Sequence, residues 1–464
     1  MNQDTICAIA TAPGGAIGII RVSGPDAIAI TDRLFTPASG KPLAERAAYT
    51  LTFGQILSPA GEVVDEVLVS LFRAPHSYTG EDSVEISCHG SAYILQQVMQ
   101  LLIGQGCRAA GPGEYTQRAF LNGKMDLSQA EAVADLIAST SAATHRMAMN
   151  QMRGGFSREL ALLRDQLLHL TSLMELELDF SDHEDLEFAD CSELEAIAAR
   201  VEQVIARLTD TFSVGNALKN GVPVAIVGET NAGKSTLLNA LLNEERAIVS
   251  DIHGTTRDVI EDTLSLGGIT FRFIDTAGIR QTTDTIESLG IERSFQKLEQ
   301  ADIVLWVIDA TRAREQYRQL RADILPRCEG KHLVLVLNKA DLLPSTDAPT
   351  PAFDDLPDNA FVMSLSAKQK DGLADLQKRL VDFASLPDLS HTDVVVSNVR
   401  HYEALTHALT AIHRVQDGLA SGLSGDFVSQ DLRECLHHLG EIVGGTIETD
   451  EVLGNIFKHF CIGK

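Results

Sequence analysis

The chain contains 464 residues, too many for one ordinary hydrophobic core, so about three domains are expected. Its hydrophobic content of 44% and charged content of 22% are typical of a soluble globular protein. No segment approaches the roughly 20 consecutive apolar residues that a membrane-spanning helix needs. The first residues also lack the basic and apolar regions of a secretory signal. These features argue against an integral membrane protein, and no membrane partner is expected.

Cysteine usage and net charge bear on the compartment and on the partners. The seven cysteines are scattered and form no Cys-x-x-Cys pair, which is typical of a reducing compartment, so a cytoplasmic location is expected. The formal net charge of −26 argues against nucleic-acid binding driven by the overall charge of the protein. Contact with nucleic acid would then need a local basic patch or a basic partner.

Residues 1–120 have the pattern of a mixed α/β domain. Short β-prone runs separated by Gly and Pro predict strands, and a longer apolar run predicts a helix. The predicted strands are Ile6–Ala10, Ala16–Val22, Glu66–Phe72 and Ser83–Ser87, and the predicted helix is Ser91–Ile103.

Near Leu127 the hydrophobic period changes from two to about 3.6, which predicts helices. Ser128 and Glu131 have the spacing of a capping box at a helix start. Apolar stripes at helical spacing then lie on both sides of an α/β segment. They are Leu160, Leu163, Leu167, Leu170 and Met174 before it, and Tyr402, Leu405, Leu409, Ile412, Leu432, Leu436, Leu439 and Val443 after it. This order favours one helical domain interrupted by an insert, with two separate bundles as the alternative.

A phosphate-binding loop follows a predicted strand at Val222–Val227. Residues 228–235 read Gly-x-x-x-x-Gly-Lys-Ser, and a helical pattern follows them. The glycines let backbone N–H groups turn toward phosphates, and the helix N-terminus adds positive potential. Lys234 is predicted to neutralise the outer phosphates and to act in catalysis, and Ser235 to bind Mg²⁺. The predicted nucleotide contacts of this loop are Asn231, Ala232, Gly233, Lys234, Ser235 and Thr236.

Later motifs select guanine over adenine. Asn338-Lys339-Ala340-Asp341 follows a buried strand, and the Asp341 carboxylate can accept two hydrogen bonds from the ring N–H and exocyclic amine of guanine. Adenine lacks this donor pair, and buried polar groups without partners are costly. Ser366-Ala367-Lys368 fits a second guanine-contacting loop. The sequence therefore predicts GTP as the substrate.

Two further elements are predicted to reach the terminal phosphate and Mg²⁺. Asp275-Thr276-Ala277-Gly278 follows a predicted strand and forms an Asp-x-x-Gly element. A switch segment lies between it and the phosphate loop, where Thr256 is predicted to complete the Mg²⁺ shell and to act in catalysis. The predicted nucleotide contacts of this switch are Ser250, Asp251, Ile252, His253, Gly254, Thr255 and Thr256.

The residue that positions the attacking water in small regulatory GTPases is not present in this sequence. Their glutamine, two residues after the glycine of Asp-x-x-Gly, is replaced here by Arg280, which has no acceptor. The polar segment that follows carries Asp284 and Glu287, and either carboxylate could orient the water. Glu287 is favoured.

Taken together, these motifs resemble those of the MnmE (TrmE) family of tRNA-modification GTPases. Within the nucleotide domain the resemblance rests on the phosphate loop with Asn231, residues 254–258, residues 275–280 and residues 338–341. Outside it, the resemblance rests on Thr79-Gly80-Glu81-Asp82, Cys88-His89-Gly90, residues 112–116, residues 118–124 and the final Cys461-Ile462-Gly463-Lys464. It therefore runs over essentially the whole chain.

The resemblance implies a multidomain fold that combines α/β and all-α parts. An N-terminal α/β domain, similar to tetrahydrofolate-binding domains, would span residues 1–122 and mediate dimerisation. A discontinuous helical domain would span residues 123–216 and 389–464. A Ras-like P-loop GTPase domain at residues 217–388 would be inserted between its two parts.

The family's activity is implied in the same way. The chain would be a homodimer that works with the flavoprotein MnmG (GidA) in a heterotetramer or larger complex, with FAD on that partner. Together they would place an aminomethyl or carboxymethylaminomethyl group on carbon 5 of the wobble uridine of tRNA, using a one-carbon unit carried by folate. K⁺ would stimulate GTP hydrolysis by promoting pairing of the nucleotide domains.

Several residue roles follow from the resemblance alone. Asn231, Ser250, Ile252 and Thr255 would surround K⁺, and Glu287 matches the family's catalytic acid. Arg21, Glu85, Lys124 and Lys464 would bind 5-formyl- or 5,10-methylene-tetrahydrofolate. Cys461 would lie near the folate and take part in the modification chemistry, with a merely buried thiol as the alternative.

A ribosome-assembly or signalling switch, acting as a binding protein, is the alternative function. Such switches usually carry a basic RNA-binding appendage, which a chain of net charge −26 does not offer. The domain at residues 1–120 and the Cys-Ile-Gly-Lys tail also argue against it.

Overall fold

A computed structural model describes residues 4–12, 14–179, 191–243, 262–274, 298–343, 353, 355–357, 360–384, 394–445, 460 and 463, without side chains at 175–179, 191–193 and 243. The chain forms two compact units. The first comprises Met1–Ala138, Ala148–Ala206 and Glu403–Lys464, and the second comprises Ser139–Met147 and Arg207–Tyr402.

The first unit contains a seven-stranded sheet. Its strands are β1 (Ile6–Ile9), β2 (Ile17–Ser23), β3 (Phe35–Pro37), β4 (Thr50–Leu57), β5 (Val63–Phe72), β6 (Ser83–His89) and β7 (Arg108–Ala109), in the spatial order β3-β4-β5-β6-β2-β1-β7. Neighbouring strands are antiparallel except β1 and β7, which are parallel. All four strands predicted in this region are confirmed, although β5 begins three residues earlier than predicted.

One face of this sheet is covered by helices. α1 (Ala27–Leu34) and α2 (Ala92–Gly104) pack on alternate strand residues such as Ile20 and Ile86, and together they form a hydrophobic core. The predicted helix at 91–103 is thus confirmed. The intervening strand residues lie on the opposite face. They include Arg21 and Glu85, which are register partners there and belong to a second cluster described below.

The rest of the first unit is helical. Its helices are α3 (Glu114–Leu121), α4 (Leu127–Ala138), α6 (Gly155–Asp179) and α13 (Gly425–Val443), while α5 (Ala142–Met152), α7 (Cys191–Asp210) and α12 (Val399–Ala420) have residues in both units. α13 packs along α6, so helices from before and after the insert share one unit. This agrees with one interrupted helical domain rather than two bundles. The three predicted boundaries, at 122/123, 216/217 and 388/389, stay predictions.

Helix α4 begins with a capping box, but two residues before the predicted one. The Asp126 carboxylate accepts a hydrogen bond from the backbone N–H of Gln129 at 2.9 Å, and the Gln129 side chain accepts one from the N–H of Asp126 at 3.0 Å. Ser128 instead donates to Asp126 at 2.8 Å. The prediction of a Ser128–Glu131 box was therefore wrong.

The predicted apolar stripes are confirmed in part. All five side chains of the stripe from Leu160 to Met174 are buried. In the later stripe, four residues are only half-buried, and residues beside them take the core positions. The half-buried residues are Tyr402, Leu409, Leu436 and Val443, and the fully buried neighbours include Ala408, Cys435 and Ile442. The buried face is therefore shifted by one position from the predicted one.

The second unit contains a six-stranded sheet with helices. Its strands are β8 (Val222–Val227), β9 (Asp262–Leu266), β10 (Ile269–Phe273), β11 (Ile303–Asp309), β12 (His332–Asn338) and β13 (Phe361–Ser364), in the order β13-β12-β11-β8-β10-β9. The helices are α8 (Phe212–Asn220), α9 (Lys234–Asn243), α10 (Ala313–Ile324) and α11 (Leu373–Phe383). Among the strands that the structure describes in this sheet, only β9 runs antiparallel to its neighbour, and two core clusters include buried residues of the strands.

The parallel strands bring the motifs together. Residues that follow β8, β11, β12 and β13 emerge at the same edge of the sheet, because parallel strands end there. This edge carries the phosphate loop, Asp309, Asn338 and Ser366. Among the residues that the structure describes, none of the helices combines the length and hydropathy that crossing a bilayer requires.

Candidate functional site

The phosphate loop adopts a backbone that requires its glycines. Gly228 has φ +144, and a Cβ atom there would lie 2.1 Å from the carbonyl oxygen of Val307. Gly233 has φ +95, and its Cβ would lie 2.1 Å from the Asn338 amide nitrogen. Asn231 has φ 66, in the left-handed region that Asn tolerates better than most residues. The loop can therefore approach both β11 and β12 closely.

Lys234, at the start of α9, folds back over this loop. Its ammonium donates to the carbonyl oxygens of Gly228 at 2.7 Å and Glu229 at 2.8 Å. Burial lowers the pKa of Lys234, because desolvation disfavours the charged form. A phosphate anion would offset this cost, so the predicted position of Lys234 beside the phosphates is chemically consistent with its surroundings.

Asn338 ties three loops together. Its side chain is 2% exposed, and its amide nitrogen donates to the carbonyl oxygen of Ala232 at 2.9 Å. Its amide oxygen accepts a hydrogen bond from the backbone N–H of Ala367 at 3.0 Å. The phosphate loop, the Asn-Lys-x-Asp motif and the Ser-Ala-Lys loop are thus held by one buried side chain.

The Asp341 carboxylate, which is predicted to read the base, is also fixed. The Ser366 hydroxyl donates to Asp341 at 2.7 Å, and Ser366 itself accepts a hydrogen bond from the backbone of Gln369 at 3.2 Å. Lys339, in a left-handed conformation with φ 65, forms an ion pair with Asp309 at 2.7 Å. Although burial opposes ionisation, hydrogen bonds from Lys339 and Thr311 hold the pKa of Asp309 below its ordinary value.

Some predicted residues lie outside the described part of the chain. They are Ser250, Asp251, Ile252, His253, Gly254, Thr255, Thr256, Asp275, Thr276, Ala277, Gly278, Arg280, Asp284, Glu287, Cys461 and Lys464. Among the described residues, Ser235 is half-buried, while Thr236 and Lys368 are exposed. Within those same ranges, no three His, Cys, Asp or Glu side chains group as metal ligands.

The sequence did not reveal three residues of the nucleotide site. Glu229, Asp309 and Gln316 form a hydrogen-bonded chain beneath the loops. One feature of the sequence could have identified Asp309 as a site residue. Asp309 is the last residue of the apolar strand β11, at the sheet edge where ligands bind. Gln316 had no such feature, because a glutamine within a polar helix has the pattern of an ordinary surface residue.

A second cluster lies on the open face of the seven-stranded sheet. Arg21 and Glu85 are register partners on β2 and β6, and their side chains form an ion pair at 2.8 Å. Arg21 also donates to the carbonyl oxygen of Gly463 at 3.3 Å. The rings of Tyr78 and Tyr115 each lie with their centroids 5.6 Å from the Arg21 guanidinium.

Lys124 has a less direct link to this cluster. Its ammonium donates to the carbonyl oxygen of Pro75 at 3.0 Å, and its side chain passes Gly80. The loop between these two residues carries Tyr78, which packs on Arg21. The structure therefore brings Arg21 and Glu85 into contact, and it relates Lys124 to them only through this loop.

Known proteins resemble the chain over its whole length. A family model described as the MnmE helical domain matches residues 127–461, and one described as the GTP-binding protein TrmE N-terminus matches residues 5–124. A protein of Phocaeicola vulgatus named tRNA modification GTPase MnmE is 65% identical, over 100% of this chain and 99% of that protein. Proteins with the same name from Bacteroides fragilis and Flavobacterium johnsoniae are 68% and 51% identical, each over 100% of both chains. The chain belongs to the MnmE (TrmE) family of tRNA-modification GTPases.

Proposed function

We propose that the chain hydrolyses GTP to GDP and phosphate, and that this reaction serves the modification of tRNA. The observation that carries the GTPase assignment is the position of Asn338, which joins the phosphate loop to the guanine-reading motif. Relatives that align over the whole chain bear the name tRNA modification GTPase MnmE. The tRNA part of the proposal rests on this likeness.

The described residues would bind the two ends of GTP. Backbone N–H groups of the loop and the start of α9 would face the phosphates, and Lys234 would neutralise their charge. Asp341, held by Ser366, would accept the ring N–H and amine of guanine. These contacts account for both phosphate binding and base selectivity.

Two cations are part of the proposal. Mg²⁺ would be held by Ser235 with Thr256, and K⁺ by Asn231 with Ser250, Ile252 and Thr255. The described members fit this role, because Ser235 offers a hydroxyl on the first turn of α9, and Asn231 offers an amide oxygen in an exposed part of the loop. Bound there, the cations would balance the negative charge that develops on the phosphates.

The attacking water needs an acceptor, and we assign that role to Glu287. Neither Ile279 nor Arg280, which follow the Asp-x-x-Gly element, carries one. A carboxylate near the terminal phosphate would orient the water by accepting its proton in a hydrogen bond. Thr256, in the switch segment that precedes the Asp-x-x-Gly element, would complete the Mg²⁺ shell.

The second cluster would bind reduced folate. Both contacts from Arg21 fall on Oε1 of Glu85, so Oε2 is the oxygen that would accept N–H groups of the pterin. Because Arg21 contacts Glu85, it would lie at the pterin end as well, and Lys124 would meet the carboxylates of the glutamate tail. Lys464 and Cys461 belong to this proposal because Gly463, their neighbour in the chain, lies against Arg21.

A homodimer and a complex with MnmG complete the proposal. The open face of the first sheet exposes Leu51, Phe53 and Leu68 at 60%, 51% and 40%, and Phe53 and Leu68 are register partners. Apolar side chains grouped in this way are typical of an interaction surface, which supports the homodimer. FAD would belong to MnmG, and a basic surface on that partner would let a chain of charge −26 act on tRNA. The cytoplasmic location stays a prediction.

One experiment tests the proposal and its alternative together. Cells that lack the chain should lose the carbon-5 group of the wobble uridine, which mass analysis of digested tRNA would detect. Re-expression of the chain should restore the group, and re-expression of a Lys234→Ala variant should not. If cells that lack the chain kept the carbon-5 group of the wobble uridine but assembled ribosomes defectively, a ribosome-assembly switch would be favoured instead.

A further inference from the structure

Gln316, on α10, is a buried amide between two loops of the nucleotide site. Its side chain is 3% exposed. Its amide nitrogen donates to the Glu229 carboxylate at 2.8 Å, and its amide oxygen accepts a hydrogen bond from the backbone N–H of Asp309 at 2.8 Å. One side chain therefore links the phosphate loop to the end of strand β11.

Each neighbour of Gln316 holds one lysine of the nucleotide site. The carbonyl oxygen of Glu229 accepts a hydrogen bond from Lys234, the phosphate-side lysine, at 2.8 Å. The carboxylate of Asp309 accepts one from Lys339, the guanine-side lysine, at 2.7 Å. Gln316 is thus the midpoint of a continuous path from one lysine to the other.

The position needs both a donor and an acceptor at the end of one side chain. A carboxylate there would face the carboxylate of Glu229, and an apolar side chain would leave Glu229 and the Asp309 N–H without their partner. Unpaired polar groups are costly when buried. Among residues of this length, glutamine alone satisfies both neighbours.

The packing of α10 keeps this amide in place. Tyr317, the next residue, stacks on Trp306 of β11 with ring centroids 5.1 Å apart, and it also contacts Phe353 at 4.7 Å. Both Trp306 and Tyr317 are buried. A rigid support is what a positioning residue requires.

We propose that Gln316 is a positioning residue that sets the affinity for guanine nucleotides by holding Lys234 and Lys339 in register. The proposal rests on the GTPase function proposed above. Gln316 acts through Glu229 and Asp309. Its loss therefore weakens binding of the nucleotide in the ground state and in the transition state by the same amount. Such a loss raises KM and leaves kcat largely unchanged.

The test uses the purified full-length chain and a fluorescent GDP analogue, with affinity and release rate as readouts. Gln316→Met keeps the length of the side chain but removes both hydrogen bonds. We expect about tenfold weaker binding, chiefly through faster release, and about tenfold higher KM for GTP with kcat within about twofold. Gln319→Met is the matched control, because Gln319 lies on the same helix and is exposed, and it should bind like the unaltered chain.

A rescue experiment separates positioning from packing. The double variant Glu229→Gln with Gln316→Glu exchanges the two groups, so the introduced carboxylate can accept from both the introduced amide and the Asp309 N–H. We expect it to recover most of the affinity that Gln316→Glu alone loses. Unchanged affinity in Gln316→Met, or no recovery in the exchanged variant, would overturn the inference.

The same measurements distinguish this inference from the proposed function. If the unaltered chain bound neither GDP nor GTP, the GTPase proposal itself would fail. If the unaltered chain bound both while Gln316→Met bound equally well, only the role of Gln316 would fail.

Discussion

The side-chain amide of Asn338 donates to the backbone carbonyl oxygen of Ala232 at 2.9 Å, across 106 residues of sequence. This bond joins the loop expected to hold the phosphates to the motif expected to read the base. Because Asn338 also accepts from Ala367, the two ends of the nucleotide site cannot move independently without breaking buried hydrogen bonds.

The first prediction follows from this link. Asn338→Ala leaves the Ala232 carbonyl and the Ala367 N–H without their partner, so we expect GDP affinity to fall by about 1–3 kcal/mol. Titration calorimetry at constant salt would measure it. Asn220→Ala, at an exposed position in α8, is the control and should not change affinity. Equal affinities in both variants would show that the link is dispensable.

The second prediction concerns the base. Asp341→Asn replaces a carboxylate that accepts two hydrogen bonds by an amide that can accept one and donate another. We expect weaker GDP binding and stronger binding of xanthosine diphosphate, measured by competition against a fluorescent nucleotide. Ser366→Ala removes the donor that holds Asp341, and it should weaken GDP without favouring xanthosine. Retained guanine selectivity in Asp341→Asn would refute the assignment.

The third prediction concerns the monovalent cation. Charge that develops on the phosphates needs a positive partner, and no arginine finger could be assigned from the sequence. We expect GTP hydrolysis to be faster in KCl than in NaCl at equal ionic strength, with the difference reduced in Asn231→Ala. Identical rates in the two salts would remove K⁺ from the mechanism.

The fourth prediction concerns the attacking water. Glu287→Ala should lower the rate of GTP hydrolysis by ~10²–10⁴-fold, the usual contribution of general acid–base groups. Affinity for GTP should barely change, because the carboxylate would contact the water and not the base or the phosphate loop. Asp284→Ala serves as the matched control, and a larger loss of rate there than in Glu287→Ala would reverse the assignment.

The fifth prediction concerns Gly463 in the second cluster. Gly463 has φ +95, and a Cβ atom there would lie 2.6 Å from the carbonyl oxygen of Ile9, so Gly463→Ala must displace the carbonyl that Arg21 contacts. We expect weaker binding of 5-formyl-tetrahydrofolate and an unchanged rate of GTP hydrolysis. Gly40→Ala is the control, since Gly40 also has a positive φ but open space around it. Equal folate affinities in the two variants would show that Gly463 is not part of the proposed folate site.

The nucleotide motifs could be predicted because each is a contiguous run with its own chemistry. The phosphate loop needs glycines, a lysine and a hydroxyl in fixed order, and a single chain segment supplies them. The link through Gln316 could not be predicted, because its partners lie 87 residues away at Glu229 and 7 away at Asp309. Nothing in a polar helix distinguishes a buried amide from an exposed one.

Strand β4 escaped prediction for a different physical reason. Its alternation is inverted, with Leu51 and Phe53 exposed while Thr52 is buried beside Gly54. A hydrophobic pattern assumes that apolar residues face the core. Here Leu51 and Phe53 lie on the outer face, which is also the face proposed for dimerisation, so the pattern could not identify the strand's buried side.

The contact between Arg21 and Gly463 spans 442 residues. Arg21 precedes every nucleotide motif in the sequence, and Gly463 follows every helix and strand described above. A truncated product can therefore contain the entire nucleotide domain and still lack this contact. A cut in the chain before residue 463 would therefore leave the nucleotide motifs intact in sequence while removing the backbone carbonyl that Arg21 contacts.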